Sequence, residues 1–209
     1  MNQFASSPTD TATALIEAGR FLFSRKGYDG ASVRDITSTA GANLGAITYH
    51  FGSKRAFYEI VLTETLRPLV DRVGAAATGE GSALDRIEAV VDTFFDHLAR
   101  YPELPRLLLQ EVTAGRHPPA EVIRILQRNA AYLGGLVQEG QEDGSIRTGH
   151  PFLMAISVVS QPVYLSLIAP LVSEVAGVDL ANPVVRGQVA LHVKSFARAA
   201  LERRDERIR

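Results

Sequence analysis

The side chains best suited to chemistry lie between residues 34 and 55. Arg34, Thr48, Tyr49, His50, Lys54 and Arg55 fall within 22 positions of one another. They are hydrogen-bond donors and cations, matched to phosphate oxygens and base edges rather than to bond breaking. Signals for catalysis are poor. The chain has no cysteine, which removes disulfides, thiolate metal sites and cysteine nucleophiles. No G-x-S-x-G, P-loop or H-E-x-x-H pattern occurs. Asp92 and Asp96 stand one helical turn apart and could share a cation, but His97 is offset around the helix and nothing completes a ligand set. They are expected on a solvated face, and His117 in a Gly- and Pro-rich loop. No metal, no cofactor and no enzymatic activity are expected.

These side chains need rigid elements to aim them. Ser32 and Asp35 have the spacing of a capping box, opening a short helix whose buried face is Val33, Ile36 and Ala40. Gly41-Ala42-Asn43 turns the chain. Asn43 is expected to cap a second short helix running to about Phe51, with Ile47 and Phe51 inward, Leu44 partly so, and Gly45, Thr48 and Tyr49 outward. This is a helical corner with a glycine turn. Its second helix is too short to stand alone and exposes small, hydrogen-bonding residues that suit a major groove. Such corners are common, so spacing alone leaves a purely structural role open. Upstream, Ala12, Leu15, Ile16, Gly19, Leu22 and Phe23 predict a helix from about 11 to 26, ended by Gly27. Downstream, Ser53 caps a helix over about 53–74 whose first amides can meet a phosphate beside Lys54.

The remainder is also helical in period, with a second capping box at Ser82 and Asp85 opening a helix striped from Leu84 to Leu98, a short helix over 104–112, one opened by Pro118-Pro119 with Val122 to Val137 inward, and two last helices over about 152–175 and 183–206. No strand pattern competes. The expected fold is all-α: a flexible tail at 1–10, a three-helix helix-turn-helix domain at 11–56, and a larger helical domain at 57–209. Apolar residues make up 46% of the 209, enough for a full core, and the formal net charge is −1. Overall charge therefore offers nucleic acid nothing, and any binding must be local. In the larger domain Phe94, Phe95, Leu98, Leu108, Tyr132 and Tyr164 are candidates to line an apolar pocket, with Glu111, Arg128, Asn129 and Gln161 as polar contacts. The alternative for each is ordinary packing. Val158, Leu165, Val185, Val189, His192 and Phe196, on the last two helices, are candidates for a dimer interface built as a four-helix bundle. Residues 148–173 carry no formal charge and are long enough to span a bilayer, yet Ser157, Ser160, Gln161, Pro162 and Ser166 favour a buried helix. The first residues lack the pattern of a signal peptide, so a cytoplasmic protein without a membrane partner is expected.

The run from Gly27 through Ile36, then Ala40-Gly41, then Gly45-Ala46-Ile47-Thr48-Tyr49-His50-Phe51 and Ser53-Lys54, closely resembles the DNA-binding domain of TetR-family regulators. Strong similarity covers about residues 11–60. The resemblance implies a homodimer on a palindromic double-stranded operator, usually as a repressor, released when a small molecule binds the C-terminal domain. It implies DNA contacts at Ser32, Arg34, Asn43, Leu44, Gly45, Thr48, Tyr49, His50 and Lys54. Thr48 stands where the family often has an aromatic, and Leu44 where it is commonly polar, which leaves the operator sequence open. A helical small-molecule binding module without operator binding, and a helical enzyme, are the competing readings.

Overall fold

The structure is a computed structural model that describes residues 8–203. Ten helices are present among the described residues: α1 (Pro8–Gly30), α2 (Val33–Thr39), α3 (Ala46–Phe51), α4 (Lys54–Ala77), α5 (Ala83–Arg100), α6 (Leu104–Thr113), α7 (Ala120–Glu142), α8 (Pro151–Leu167), α9 (Ala169–Ala176) and α10 (Pro183–Leu201). The described residues are all-α, as the periodicity predicts; among them one isolated β-bridge joins Ile146 and Glu202. Of the expected 1–10 tail, residues 1–7 lie outside the described residues, and Pro8–Asp10 are already helical. The proposed end of the last helix at 206 also lies outside them, and α10 stops at Leu201.

Two compact units form, one from residues 1–66 with 106–122 and the other from 67–105 with 123–209. The first unit therefore draws on more of the chain than the 11–56 span expected for the helix-turn-helix. Its core is Leu15, Leu22, Phe23, Ile36, Ile47, Phe57 and Val61, all buried. Gly19 sets the approach of α4 to α1: a Cβ there would lie 2.5 Å from the Phe57 ring. Gly27 interrupts α1 with φ 72° and ψ 173°, a conformation that glycine tolerates best, and redirects Tyr28 and Asp29. The segment at 106–122 belongs to this unit, and Gln110 Nε2 donates to the Ser24 carbonyl at 3.0 Å.

In the second unit α5 packs against α8 and α10. The capping box expected at Ser82 and Asp85 is formed in both directions. Charge pairs fasten α10 to α5: Lys194 to Asp92 at 2.7 Å, and Arg198 to Asp85 at 2.6 Å and to Glu88. Asp92 is thus an ion-pair partner, not half of a cation site with Asp96. Gly140 allows the 143–150 loop to fold back, since a Cβ there would meet Ile146 at 2.5 Å.

The single helix expected over 152–175 is in fact two. α8 and α9 meet at a break of 73°. Pro170 is the cause: it has no N–H for the Ser166 carbonyl, and its ring crowds that turn. No single helix among the described residues is long and apolar enough to cross a membrane, although this bent pair passes by length and composition.

Candidate nucleic-acid interface

The corner forms from its buried residues outward. Ser32 Oγ accepts from the Asp35 amide at 3.0 Å and starts α2. The Asp35 carboxylate accepts from Lys26 Nζ at 2.9 Å; that bond first, and Ser32 second, hold its pKa below the ordinary value. Ile36, Ala46 and Ile47 are buried and fix α2 and α3 to the unit. Phe51 stacks at a tilt on Phe57, with ring centroids 4.8 Å apart.

Asn43 does not cap α3. The Ala46 amide bonds to the Asn43 carbonyl at 3.0 Å, closing a tight turn, and the helix starts one turn-corner later with Gly45 at the cap. The connection is therefore longer than Gly41-Ala42-Asn43, and Leu44 sits in it, 59% exposed rather than partly inward. Ser32, Arg34, Asn43, Leu44, Gly45, Thr48 and Tyr49 are all exposed, while His50 and Lys54 are half-buried. Tyr49 stands out at 82% exposure. A hydrogen-bonding face carried by a helix of six residues thus rests on two buried anchors.

The cations nearby divide into committed and uncommitted. Lys26 is paired with Asp35, and Arg55 with Glu59 at 2.8 Å. Lys54 instead lies over the Tyr28 ring, its Nζ 4.5 Å from the centroid. Behind Tyr28 is a group that the sequence does not announce. Tyr58 Oη donates to Glu111 Oε1 at 2.9 Å, Arg116 Nε donates to the same oxygen at 3.0 Å, and Arg116 Nη1 donates to Asp29 at 3.2 Å. Tyr58 and Glu111 are fully buried. Burial first, and the Glu111 carboxylate second, push the Tyr58 hydroxyl well above the usual tyrosine range. Glu111 and Arg116 are five residues apart, but Tyr58 lies 53 residues from Glu111 and Asp29 lies 87 from Arg116, so no local pattern could have found the whole group.

The ten pocket candidates lie in differing surroundings. Phe95 and Leu98 border a cavity of about 430 Å³ with Pro102, Pro170, Leu180 and Arg186. Gln161 borders another of about 230 Å³ with Met154, Val158, Phe196 and Leu201. Glu111 is taken up by Tyr58 and Arg116 in the first unit, which also holds Leu108. Phe94 and Asn129 are buried, with Asn129 Oδ1 lacking a hydrogen-bond partner. Arg128 and Tyr164 are exposed, and Tyr132 packs on Gly74.

The interface candidates also divide. Val158 is buried within the chain, with Met154, Ala155 and Pro162. Leu165, Val185 and Val189 are half-buried, and His192 and Phe196 exposed. Uncovered apolar side chains on these helices are Phe152, Leu153, Ile156 and Tyr164 on α8, with Val184, Leu191 and the candidate Phe196 on α10. No group of three or more His, Asp or Glu residues among the described residues could hold a metal ion.

Two short helices joined by a glycine turn, presenting polar side chains from anchored positions, define a helix-turn-helix DNA-binding protein. Comparison with known proteins then gives the family. Residues 15–61 match the bacterial regulatory proteins of the tetR family, and residues 84–196 the tetracyclin repressor-like C-terminal domain. The chain belongs to the tetR family and is a DNA-binding transcriptional regulator. It is 30% identical to the HTH-type transcriptional repressor SCO4008 of Streptomyces coelicolor over 70% of this chain and 73% of that protein. It is 28% identical to the HTH-type transcriptional repressor DhaR of a Mycobacterium species over 64% and 68%. Its fold is shared with a tetR-family regulatory protein from Rhodococcus RHA1, at a TM-score of 0.78, 18% identity, and coverage of 93% and 98%. The matched families are regulators rather than enzymes.

Proposed function

We propose that the protein is a homodimeric repressor that binds a palindromic operator through α3 and the starts of α2 and α4, and leaves it when a small, largely apolar molecule binds the second unit. One observation carries the DNA part: Thr48 and Tyr49 project from α3 over buried Ala46 and Ile47, beside a lysine that has no carboxylate partner among the described residues. Arg34 and Thr48 serve as base-reading candidates. Ser32, Asn43, Tyr49, His50 and Lys54 serve as backbone contacts, and Leu44 and Gly45 allow close approach. The apolar cavities at Phe95 and Leu98 and at Met154 and Gln161 support an apolar effector. The uncovered faces of α8 and α10 support the dimer. A regulator of chromosomal DNA works in the cytoplasm.

The test is DNA retardation with fragments from beside its own gene, across a salt series. Each phosphate neutralised contributes about −0.9 to the slope of log K against log salt. Lys54→Ala removes one such contact per protomer, so the slope of the dimer should become shallower by about 1.8. An unchanged slope would exclude Lys54 from the interface, and no retardation of any fragment would refute the operator reading.

A further inference from the structure

The lysines of this chain are three: Lys26, Lys54 and Lys194. Lys26 and Lys194 are held by carboxylates at 2.9 and 2.7 Å. Lys54 is held by an aromatic face. A carboxylate would neutralise the ammonium and compete with a phosphate for it. An aromatic ring orients the ammonium while leaving its charge available, because the attraction is to the ring quadrupole and not to a counter-ion.

The ring itself is fixed from several sides. Gly27 turns the backbone so that Tyr28 stacks on Phe23 at 6.1 Å and tilts against Tyr58 at 5.1 Å. Arg116 closes over the same ring, its Cζ 5.6 Å from the centroid. Arg116 is in turn pinned by Glu111 on one side and by Asp29, the residue after Tyr28, on the other. A guanidinium forked between two carboxylates has little rotational freedom left. Arg116 lies far along the chain from the helix-turn-helix, outside the residues that match the family's DNA-binding part.

We propose that Tyr28 and Arg116 are positioning residues for DNA binding: Arg116 steadies the Tyr28 ring, and the ring holds the Lys54 ammonium where it meets a phosphate. This rests on the reading of Lys54 as a DNA contact. It adds a component at residue 116 to an interface otherwise confined to residues 32–54. A shift of the 106–122 segment that pulled Arg116 from Asp29 would release Lys54 without moving α3.

The experiment has one arm without DNA and one with it. In the first, the chain is acetylated with a small amine-reactive ester, and the rate at each lysine is read by mass spectrometry. Tyr28→Leu and Arg116→Gln should each speed Lys54 several-fold, while Lys26 and Lys194 keep their wild-type rates as internal references. An unchanged Lys54 rate in both variants overturns the contact. Asp29→Asn guards against a folding defect in Arg116→Gln, because the Asp29 side chain is 84% exposed. It should raise the Lys54 rate in the same direction, and its failure to do so overturns the role of Arg116.

In the second arm, binding is measured on a duplex selected by the wild-type chain from a random pool. Tyr28→Leu should weaken binding by about three- to tenfold, the range of a partly desolvated cation–π contact. In a Lys54→Ala background the same substitution should cost nothing further. An equal loss in both backgrounds overturns action through Lys54. If the wild-type chain selects no duplex, the operator reading fails by itself, and the acetylation rates still decide whether the ring holds the lysine.

Discussion

Tyr58→Phe removes one oxygen and leaves the ring, and it should cost stability out of proportion to that change. The hydroxyl donates to Glu111 Oε1 at 2.9 Å, and neither side chain has any exposed surface. The other carboxylate oxygen, Glu111 Oε2, is buried without a hydrogen-bond partner. Losing a hydrogen bond to a charged group typically costs about 1.5–3 kcal/mol, and water cannot easily replace it in a fully buried site. For a chain of this size about 2–4 °C of melting temperature goes with each kcal/mol. A fall of roughly 3–12 °C follows. The assay is thermal unfolding by far-ultraviolet circular dichroism at one fixed protein concentration, since an associating chain melts in a concentration-dependent way. A change below about 1 °C would mean that the buried bond contributes nothing net and would refute the reasoning. The pH dependence gives a second check. The Tyr58 pKa is raised in the folded chain, so its contribution is complete below the unfolded value of about 10 and is lost progressively as pH rises beyond it. Tyr58→Phe should flatten that alkaline decline.

Three further outcomes are expected. Thr48→Ala should relax base preference at one operator position in each half-site, measured by binding to single-base operator variants; a uniform loss across all sequences would instead mark Thr48 as a backbone contact. Phe196→Glu, on an α10 side chain 58% exposed, should shift the chain toward monomer in sedimentation at micromolar protein, and a dimer of unchanged stability would remove that face from the interface. The Asp85 pKa is lowered to about 2, by Ser82 first and Arg198 second, so its stabilising effect is present above the unfolded value and is lost as pH falls toward 2. Asp85→Asn should therefore shallow the acid limb of a stability–pH curve below about pH 4, and an unaltered limb would contradict the capping and ion-pair geometry.

What could be read from the sequence depended on how local the determining interaction was. Ser82 with Asp85, and Ser32 with the Asp35 amide, are three residues apart, and both caps were legible. Thr48 and Tyr49 could be placed outward because Ala46 and Ile47 are the apolar alternatives beside them. Asn43 misled because asparagine is a good cap, whereas the local turn closes on its carbonyl and hands the cap to Gly45. On α8 the periodicity has nothing to discriminate: the helix is apolar nearly all round, so its pattern does not separate buried Val158 from exposed Ile156. Pro170 carried a legible signal for the α8–α9 break that a count of charges passes over. Glu111 illustrates the limit. A carboxylate on a helix of apolar period is ambiguous until its partners, 53 positions before it and five after it, are in place.

The first unit is discontinuous, using residues 1–66 and 106–122 with 67–105 between them. A ribosome delivers the helix-turn-helix early, but Tyr58 receives its buried acceptor only once residue 111 has left the exit tunnel, and Asp29 its guanidinium only at residue 116. Residues 67–105 of the other unit are synthesised before either contact can close. The same arrangement constrains chimaeras. Grafting only the first 60 residues of this chain onto a relative would transplant the exposed face of α3 and leave behind Glu111 and Arg116, which bond Tyr58 and Asp29. If Arg116 acts through Tyr28 as proposed, a graft that keeps its affinity has to carry two pieces of sequence, not one.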